Sequence, residues 1–327
     1  MHLRILLFFL IVPLSSTVQS AGAHPGQDAF VRALVDEHGL EAARVEKWLA
    51  RGRFRQDIID LMTRPAEAKP WHQYRPIFMT RKRIEDGVAF LHQHREALAA
   101  TEARFGVPAE MVVAILGVET SYGGNTGRHL VLDALVTLGF YYPPRQAFFS
   151  RELGQLFVLA GEQDLDIASL NGSYAGAMGW GQFMPSSYRA YAKDGDGDGR
   201  IDLWNSKPDI FASIANYFRA HGWKDGEPVA VPAVVAADAV DLGRPGLEPA
   251  LSVAELAASG YSSPALAEDD PRPVTLVRLE AEDGPEFWIA FRNFYVITRY
   301  NRSPLYAMAV FQLAQAIAEQ AGTDESP

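Results

Sequence analysis

The stretch Val107-Pro108-Ala109-Glu110-Met111-Val112-Val113-Ala114-Ile115-Leu116-Gly117-Val118-Glu119 decides how the rest of this chain is read. Pro108 suits a first helical position, Glu110 falls in the positive first turn, and Gly123-Gly124 signal an end about one turn past Glu119. At helical spacing Val112, Ile115, Leu116 and Glu119 share one stripe, so the carboxylate projects from the face that enters the core. Acidic side chains are rarely buried without a partner, and desolvation raises the pKa of one that is. A carboxyl still protonated near neutral pH is what a general acid needs. Position in a helix alone favours a structural Glu that pairs with an Arg or caps a loop.

The surroundings of Glu119 favour the catalytic reading. It opens Glu119-Thr120-Ser121-Tyr122-Gly123, and further on comes Gly172-Ser173-Tyr174-Ala175-Gly176-Ala177-Met178-Gly179-Trp180-Gly181-Gln182-Phe183-Met184-Pro185-Ser186-Ser187-Tyr188. Leu132-Asp133-Ala134-Leu135, Ala215-Asn216-Tyr217-Phe218 with His221-Gly222-Trp223, and Phe294-Tyr295-Val296-Ile297-Thr298-Arg299-Tyr300-Asn301 follow the same order. From about residue 25 to 320 the chain resembles the lytic murein transglycosylase B family, glycoside hydrolase family 103 of the lysozyme-like superfamily. The resemblance implies a mainly α (α+β) fold: a lysozyme-like helical catalytic core with an N-terminal helical arm and a small β-containing insertion.

Residues 1–23 read as a signal peptide. Arg4 precedes an apolar stretch at 5–14, too short to span a bilayer comfortably, and Ala21-Gly22-Ala23 offers a cleavage site. An uncleaved anchor is the competing reading. Named members of the family are often lipoproteins, but the chain has no Cys to lipidate, so the mature protein is expected to be soluble in the periplasm. Without disulfides it must rely on its core or a metal for stability. The formal net charge is -10, and losing Arg4 with the signal makes it -11, which argues against nucleic acid as a partner. Peptidoglycan stem peptides also carry carboxylates, so binding must depend on local contacts rather than bulk steering.

Residues 24–105 carry helical patterning, broken near Arg64-Pro65 and Lys69-Pro70, with one long amphipathic stretch expected over 82–104. Residues 106–226 hold the Glu119 helix, helices near 149–162 and 209–221, and the Gly-rich motif; this is the expected core. From 227 to 285 the texture shifts to Pro, Ala, Asp and Val with short strand-like runs. Helices are expected to return at 286–295 and 305–320, completing the core by 321, with 322–327 frayed.

Asp194-Gly195-Asp196-Gly197-Asp198-Gly199-Arg200-Ile201-Asp202 matches the front half of an EF-hand loop, with alternating carboxylates, Gly at the sixth position and an apolar residue at the eighth. Such an oxygen-rich set suits a structural Ca²⁺, with a solvated Asp/Gly turn that holds no ion as the competing reading. The twelfth position is Asn205 rather than Glu. The resemblance implies a longer loop that takes its last carboxylate from Asp209, with Asp202 as the rival and Arg200 contributing a backbone carbonyl.

The activity implied by the resemblance is non-hydrolytic cleavage of the β-1,4 bond between N-acetylmuramic acid and N-acetylglucosamine, giving 1,6-anhydromuramoyl ends, with Glu119 as the single acid and base. Asp133, the nearest other carboxylate in sequence, reads as structural because of its apolar surroundings. By resemblance Ser173 and Gln182 line the glycan groove, Tyr217, Tyr300, Asn301 and Tyr306 form its opposite wall, and Tyr74 lies further along it. For each tyrosine core packing is the alternative. Relatives can carry paired Arg after a Tyr-Pro; here Tyr142-Pro143-Pro144-Arg145 leaves only Arg145 to meet a substrate carboxylate. The expected partners are peptidoglycan strands and cell-wall synthases or amidases, and a monomer is the default. A hydrolytic goose-type lysozyme and a non-catalytic peptidoglycan-binding scaffold are the alternatives.

Overall fold

The computed structural model describes residues 23–63, 69–243 and 245–324. Of the expected signal peptide only Ala23 falls among them, and 325–327 of the expected frayed tail lie outside.

Six helices come first: α1 (Gln27–His38), α2 (Ala42–Leu49), α3 (Gln56–Thr63), α4 (Trp71–Phe78), α5 (Arg81–Gln93) and α6 (Arg95–Phe105). The expected single helix over 82–104 is two helices broken at His94. The break serves packing, because the His94 ring centroid sits 4.4 Å from Phe90 and 5.7 Å from Phe211. Periodicity reports which face is apolar and not where a helix must turn, so this break was not legible.

The central elements are α7 (Ala109–Thr120), β1 (His129–Leu130), α8 (Val131–Tyr141), α9 (Gln146–Glu162), β2 (Asn171–Gly172), α10 (Pro185–Tyr191) and α11 (Lys207–Ala220). Helix α7 is buried along Met111–Gly117 on every side and packs against α5, α6, α11 and the last helix. It is not the one-striped helix expected: a helix apolar all round is enclosed all round. Pro108 stands just before the helix as its cap, with extended backbone.

The insertion contains β3 (Ala230–Pro232), β4 (Val234–Val235), α12 (Val253–Ala258), β5 (Tyr261–Ser262), β6 (Thr275–Ala281) and β7 (Gly284–Ala290). An antiparallel sheet of order β3-β7-β6 and the short pair β4-β5 enclose their own core of Val253, Leu256, Tyr261, Val274, Leu276, Ile289 and Phe291. Residues 286–290, expected to be helical, are strand. Glu286 pairs with Leu279 and Ala290 with Thr275, and Phe287-Trp288-Ile289 is a run that suits a pleated surface. Helices α13 (Arg292–Tyr300) and α14 (Pro304–Asp324) return to the core, and α14 continues three residues past the expected end at 321. The fold is mainly α with small sheets, as the sequence implied. Among the described residues no helix is long and apolar enough to cross a membrane.

Candidate active site

Glu119 occupies the last turn of α7 and keeps partial solvent access. Its Oε1 accepts a 2.6 Å hydrogen bond from Tyr306 Oη on α14. Burial pushes the carboxyl up to about 7, and the Tyr306 bond, which favours the ionised form, pulls the other way. No charged group among the described residues counts among the causes of that shift. Burial and the neighbouring Glu119 charge raise both Tyr306 and Tyr300 well above the ordinary tyrosine range, so both stay protonated donors.

The chain leaves α7 through left-handed backbone at Ser121 (φ 50°), Tyr122 (φ 59°) and Gly123 (φ 83°). Non-glycine residues resist that region, so surrounding contacts must hold it. Arg83 Nη2 donates to Ser121 Oγ at 3.1 Å, and Tyr122 Oη donates to Arg83 O at 2.7 Å. Thr120 Oγ1 accepts from Gly123 N and donates to Trp180 O, both at 3.0 Å, which ties the helix end to the Gly-rich motif. The helix thus ends two residues earlier than the glycine pair suggested. None of Arg83, Thr120 and Trp180 was singled out as a site residue, because their partners are distant in sequence.

Gln182 has φ 51° and donates Nε2 to Thr126 O (3.1 Å) and Gly179 O (3.0 Å), and among the described residues its Oε1 has no donor. Thr126 itself is brought in because Gly127 lies against Gly172: a Cβ there would come within 2.0 Å of Gly172 O. Ser173 Oγ accepts from Ala175 N and Ala177 N, so its hydroxyl knits the loop and has only a proton left to donate. Tyr300 Oη donates to Gly181 O and Tyr217 Oη to Arg299 O, each at 2.6 Å. These two tyrosines form one packed wall, 4.8 Å between centroids, whose hydroxyl protons are spent on backbone.

Tyr74 is buried on α4, 5.2 Å from Phe78, and its hydroxyl adds to the electrostatic surroundings of Tyr306. Asn301 ends α13, exposed. Among the described residues Arg145 makes no hydrogen bond, ion pair or ring contact with the other residues of this cluster. It follows the C-terminal end of α8, and its guanidinium lies over Phe148 at 4.5 Å. Asp133 Oδ1 accepts from Arg53 N at 2.9 Å, with Arg55 at 3.9 Å, as expected of a structural carboxylate.

In the Asp/Gly loop, carboxylate oxygens of Asp194, Asp196 and Asp209 lie within 4.8 Å of one another. Asp209 is buried in the first turn of α11, where it accepts from Gly195 N and Asp202 N, both at 2.7 Å. Asp202, the rival, turns its carboxylate to Trp204 N, Asn205 N and Asn205 Nδ2. Asp198 accepts from Arg200 N instead of joining the cluster. Three converging carboxylates, one of them buried and none with an ion-paired cation among the described residues, are a donor set that fits a hard divalent cation.

A mainly helical core with a lone, raised-pKa carboxyl at a helix end defines a candidate glycan-cleaving enzyme. Residues 22–315 match the Transglycosylase SLT domain family, and the chain belongs to that family: it is a lytic murein transglycosylase, an enzyme of peptidoglycan. It is 40% identical over 324 residues to membrane-bound lytic murein transglycosylase B of Escherichia coli, covering 95% of this chain and 88% of that one. The crystal structure of soluble lytic transglycosylase SltB1 from Pseudomonas aeruginosa superposes with TM-score 0.84 at 47% identity, covering 90% of this chain and 98% of that one. Escherichia coli Slt35 in complex with calcium gives TM-score 0.84 at 39% identity, covering 95% of this chain and all of that one.

Proposed function

We propose that this enzyme cleaves the bond between N-acetylmuramic acid and N-acetylglucosamine without water, with Glu119 as its only acid and base. The observation that carries the reading is that no charged group among the described residues contributes to the shift of Glu119: its pKa is pushed up to about 7 by burial, with only the Tyr306 hydrogen bond set against it. A glycosidase that uses water or forms an adduct normally needs a second carboxylate, roughly 5 to 9.5 Å away. Asp133, the other candidate, is held by Arg53 and Arg55.

The protonated Glu119 gives its proton to the glycosidic oxygen as the bond from C1 breaks. The resulting carboxylate, held by the Tyr306 hydroxyl, takes the proton of the C6 hydroxyl as that oxygen bonds C1. The proton returns to Glu119 and no water is consumed. Gln182 Oε1 offers an acceptor to the saccharide beside the cleaved bond, and the Tyr217 and Tyr300 rings offer faces for it to stack on. Asp194, Asp196 and Asp209, with the Arg200 carbonyl, would hold Ca²⁺, which supplies charge neutralisation to the loop. The calcium-bound Slt35 structure supports this assignment. The Cys-free chain is taken to work in the periplasm without a lipid anchor.

Mass spectrometry of the soluble products from purified peptidoglycan tests the reading. Ends one water lighter than hydrolysis products, absent when Glu119→Gln replaces the parent, are the expected result; ordinary reducing ends would make the enzyme a lysozyme.

A further inference from the structure

The turn that ends α7 is costly as a conformation and close in sequence to Glu119. Ser121 and Tyr122 are consecutive non-glycine residues in the left-handed region, at φ 50° and 59°, and Glu119 stands two positions before the first of them. Backbone bonds supply part of the restraint: Tyr122 N donates to Leu116 O at 3.0 Å and Asn125 N to Thr120 O at 2.9 Å. If the turn relaxed, those bonds would be lost, and the last turn of α7, which aims Glu119, would fray with them.

Helix α5 supplies the rest of the restraint through one residue. Arg83 Nη2 donates to Ser121 Oγ at 3.1 Å, while its Nη1 donates to Ile77 O at 2.8 Å. Ile77 lies in the last turn of α4, where the carbonyls are past the reach of the helix's own N–H groups. The planar guanidinium also lies over the Phe78 ring, 5.3 Å from its centroid, so both bonds are held in one geometry. The backbone of the same residue takes the neighbouring side chain, because Tyr122 Oη donates to Arg83 O at 2.7 Å. On its way the phenol passes between α5 and α7 where each carries a glycine: a Cβ at Gly87 would stand 2.5 Å from Tyr122 Oη, and one at Gly117 2.7 Å. Arg83 thus grips both left-handed residues. It also joins α7, which carries Glu119, to α4, which carries Tyr74, whose hydroxyl acts on Tyr306.

We propose that Arg83 is a positioning residue of the transglycosylase reaction: it holds Ser121 and Tyr122 left-handed and through them fixes the direction in which α7 presents Glu119. The assignment rests on the acid and base role proposed for Glu119. Arg83 acts through the turn, so its loss costs turnover rather than binding.

The test measures kcat and KM on soluble glycan strands, per folded enzyme, for Arg83→Met, Ser121→Ala and the double variant, with Glu119→Gln alongside. Arg83→Met removes both donors; kcat falls about tenfold and KM does not change, since a misaimed group costs rate. Ser121→Ala removes the acceptor and keeps the Cβ; it loses about as much, and the double variant loses no more than Arg83→Met alone. Ser121→Gly introduced into Arg83→Met restores most of kcat, because glycine takes up the left-handed turn without help. A parental kcat in Arg83→Met, a loss that appears in KM instead, losses that multiply in the double variant, or no recovery with Ser121→Gly each overturns the assignment. Where Arg83→Met folds poorly, Ser121→Ala losing more turnover than Ser121→Gly is the expected result, and an equal or reversed order overturns it. An inactive Glu119→Gln keeps the Glu119 mechanism standing through any of these failures. Parental turnover in Glu119→Gln removes that mechanism and the assignment with it.

Discussion

Tyr306 Oη lies 2.6 Å from Glu119 Oε1 although 187 positions separate the two residues. The contact exists because α14 packs along α7. Two opposed effects meet at this carboxyl: burial disfavours its charge, and the tyrosine donor favours it. Their balance near 7 lets one group release a proton in one half of the reaction and take one back in the other.

Replacing Glu119 by Gln is expected to lower kcat by about 10³-fold or more, since one group serves both proton transfers. The Tyr306 hydroxyl can still donate to the amide oxygen, so glycan binding measured by calorimetry persists. Parental digestion rates in the variant would remove Glu119 from the mechanism.

The same substitution has a pH-dependent effect on stability. The folded carboxyl titrates near 7 against an ordinary 4.5, so below 4.5 the burial cost is absent and it grows as pH rises toward 7. At 1.36 kcal/mol per unit this amounts to about 3 kcal/mol, or about 1 to 3 after allowing for partial solvent access. Glu119→Gln therefore raises the melting temperature over the parent at pH 8 and leaves it alike at pH 4. A difference independent of pH would show that Glu119 is not strained by burial.

Removing only the donor, with Tyr306→Phe, lifts the restraint on burial and raises the Glu119 pKa further. Activity requires the protonated form at the start, so it declines as pH rises through the folded pKa. The alkaline limb of kcat/KM against pH is expected to move upward, with a lower plateau because the carboxylate formed in the first step has lost its donor. A limb that stays in place would separate Tyr306 from the titration.

The sequence alone showed the mainly α class, the Glu119 helix and the alternating Asp loop, because each is written in a local pattern. The break at His94 and the second half of β7 escaped it, since ring packing on Phe211 and pairing with β6 are nonlocal. For the loop, sequence weighed Asp209 against Asp202, and the geometry that separates them depends on where α11 begins. What the tyrosine hydroxyls do was not legible either: those of Tyr217 and Tyr300 donate to backbone carbonyls, a use that residue type cannot announce.

Chelation with EDTA is expected to lower the melting temperature of the parent, and calcium to restore it. Asp209→Ala should lose the calcium response and cost several kcal/mol, because Asp209 also accepts two backbone hydrogen bonds at about 1.5 to 3 kcal/mol each. Asp198→Ala should cost less, since its carboxylate lies outside the cluster. Denaturant titrations with and without calcium decide the ranking.

Gly127→Ala places a Cβ 2.0 Å from Gly172 O, backbone against backbone, at φ 97°. Neither chain can yield cheaply, so a loss of at least about 2 kcal/mol is expected. The shift would also move Thr126 O away from Gln182, so KM should rise even at temperatures where the variant is folded. An unchanged KM would release Gln182 from the groove.

The central claim is that Glu119 acts alone and that the sugar's own hydroxyl replaces water. Digestion of peptidoglycan in H₂¹⁸O, followed by mass spectrometry of the new ends, tests it most directly. The account predicts anhydromuramoyl ends with no ¹⁸O. Ends that carry one ¹⁸O from the solvent would contradict it.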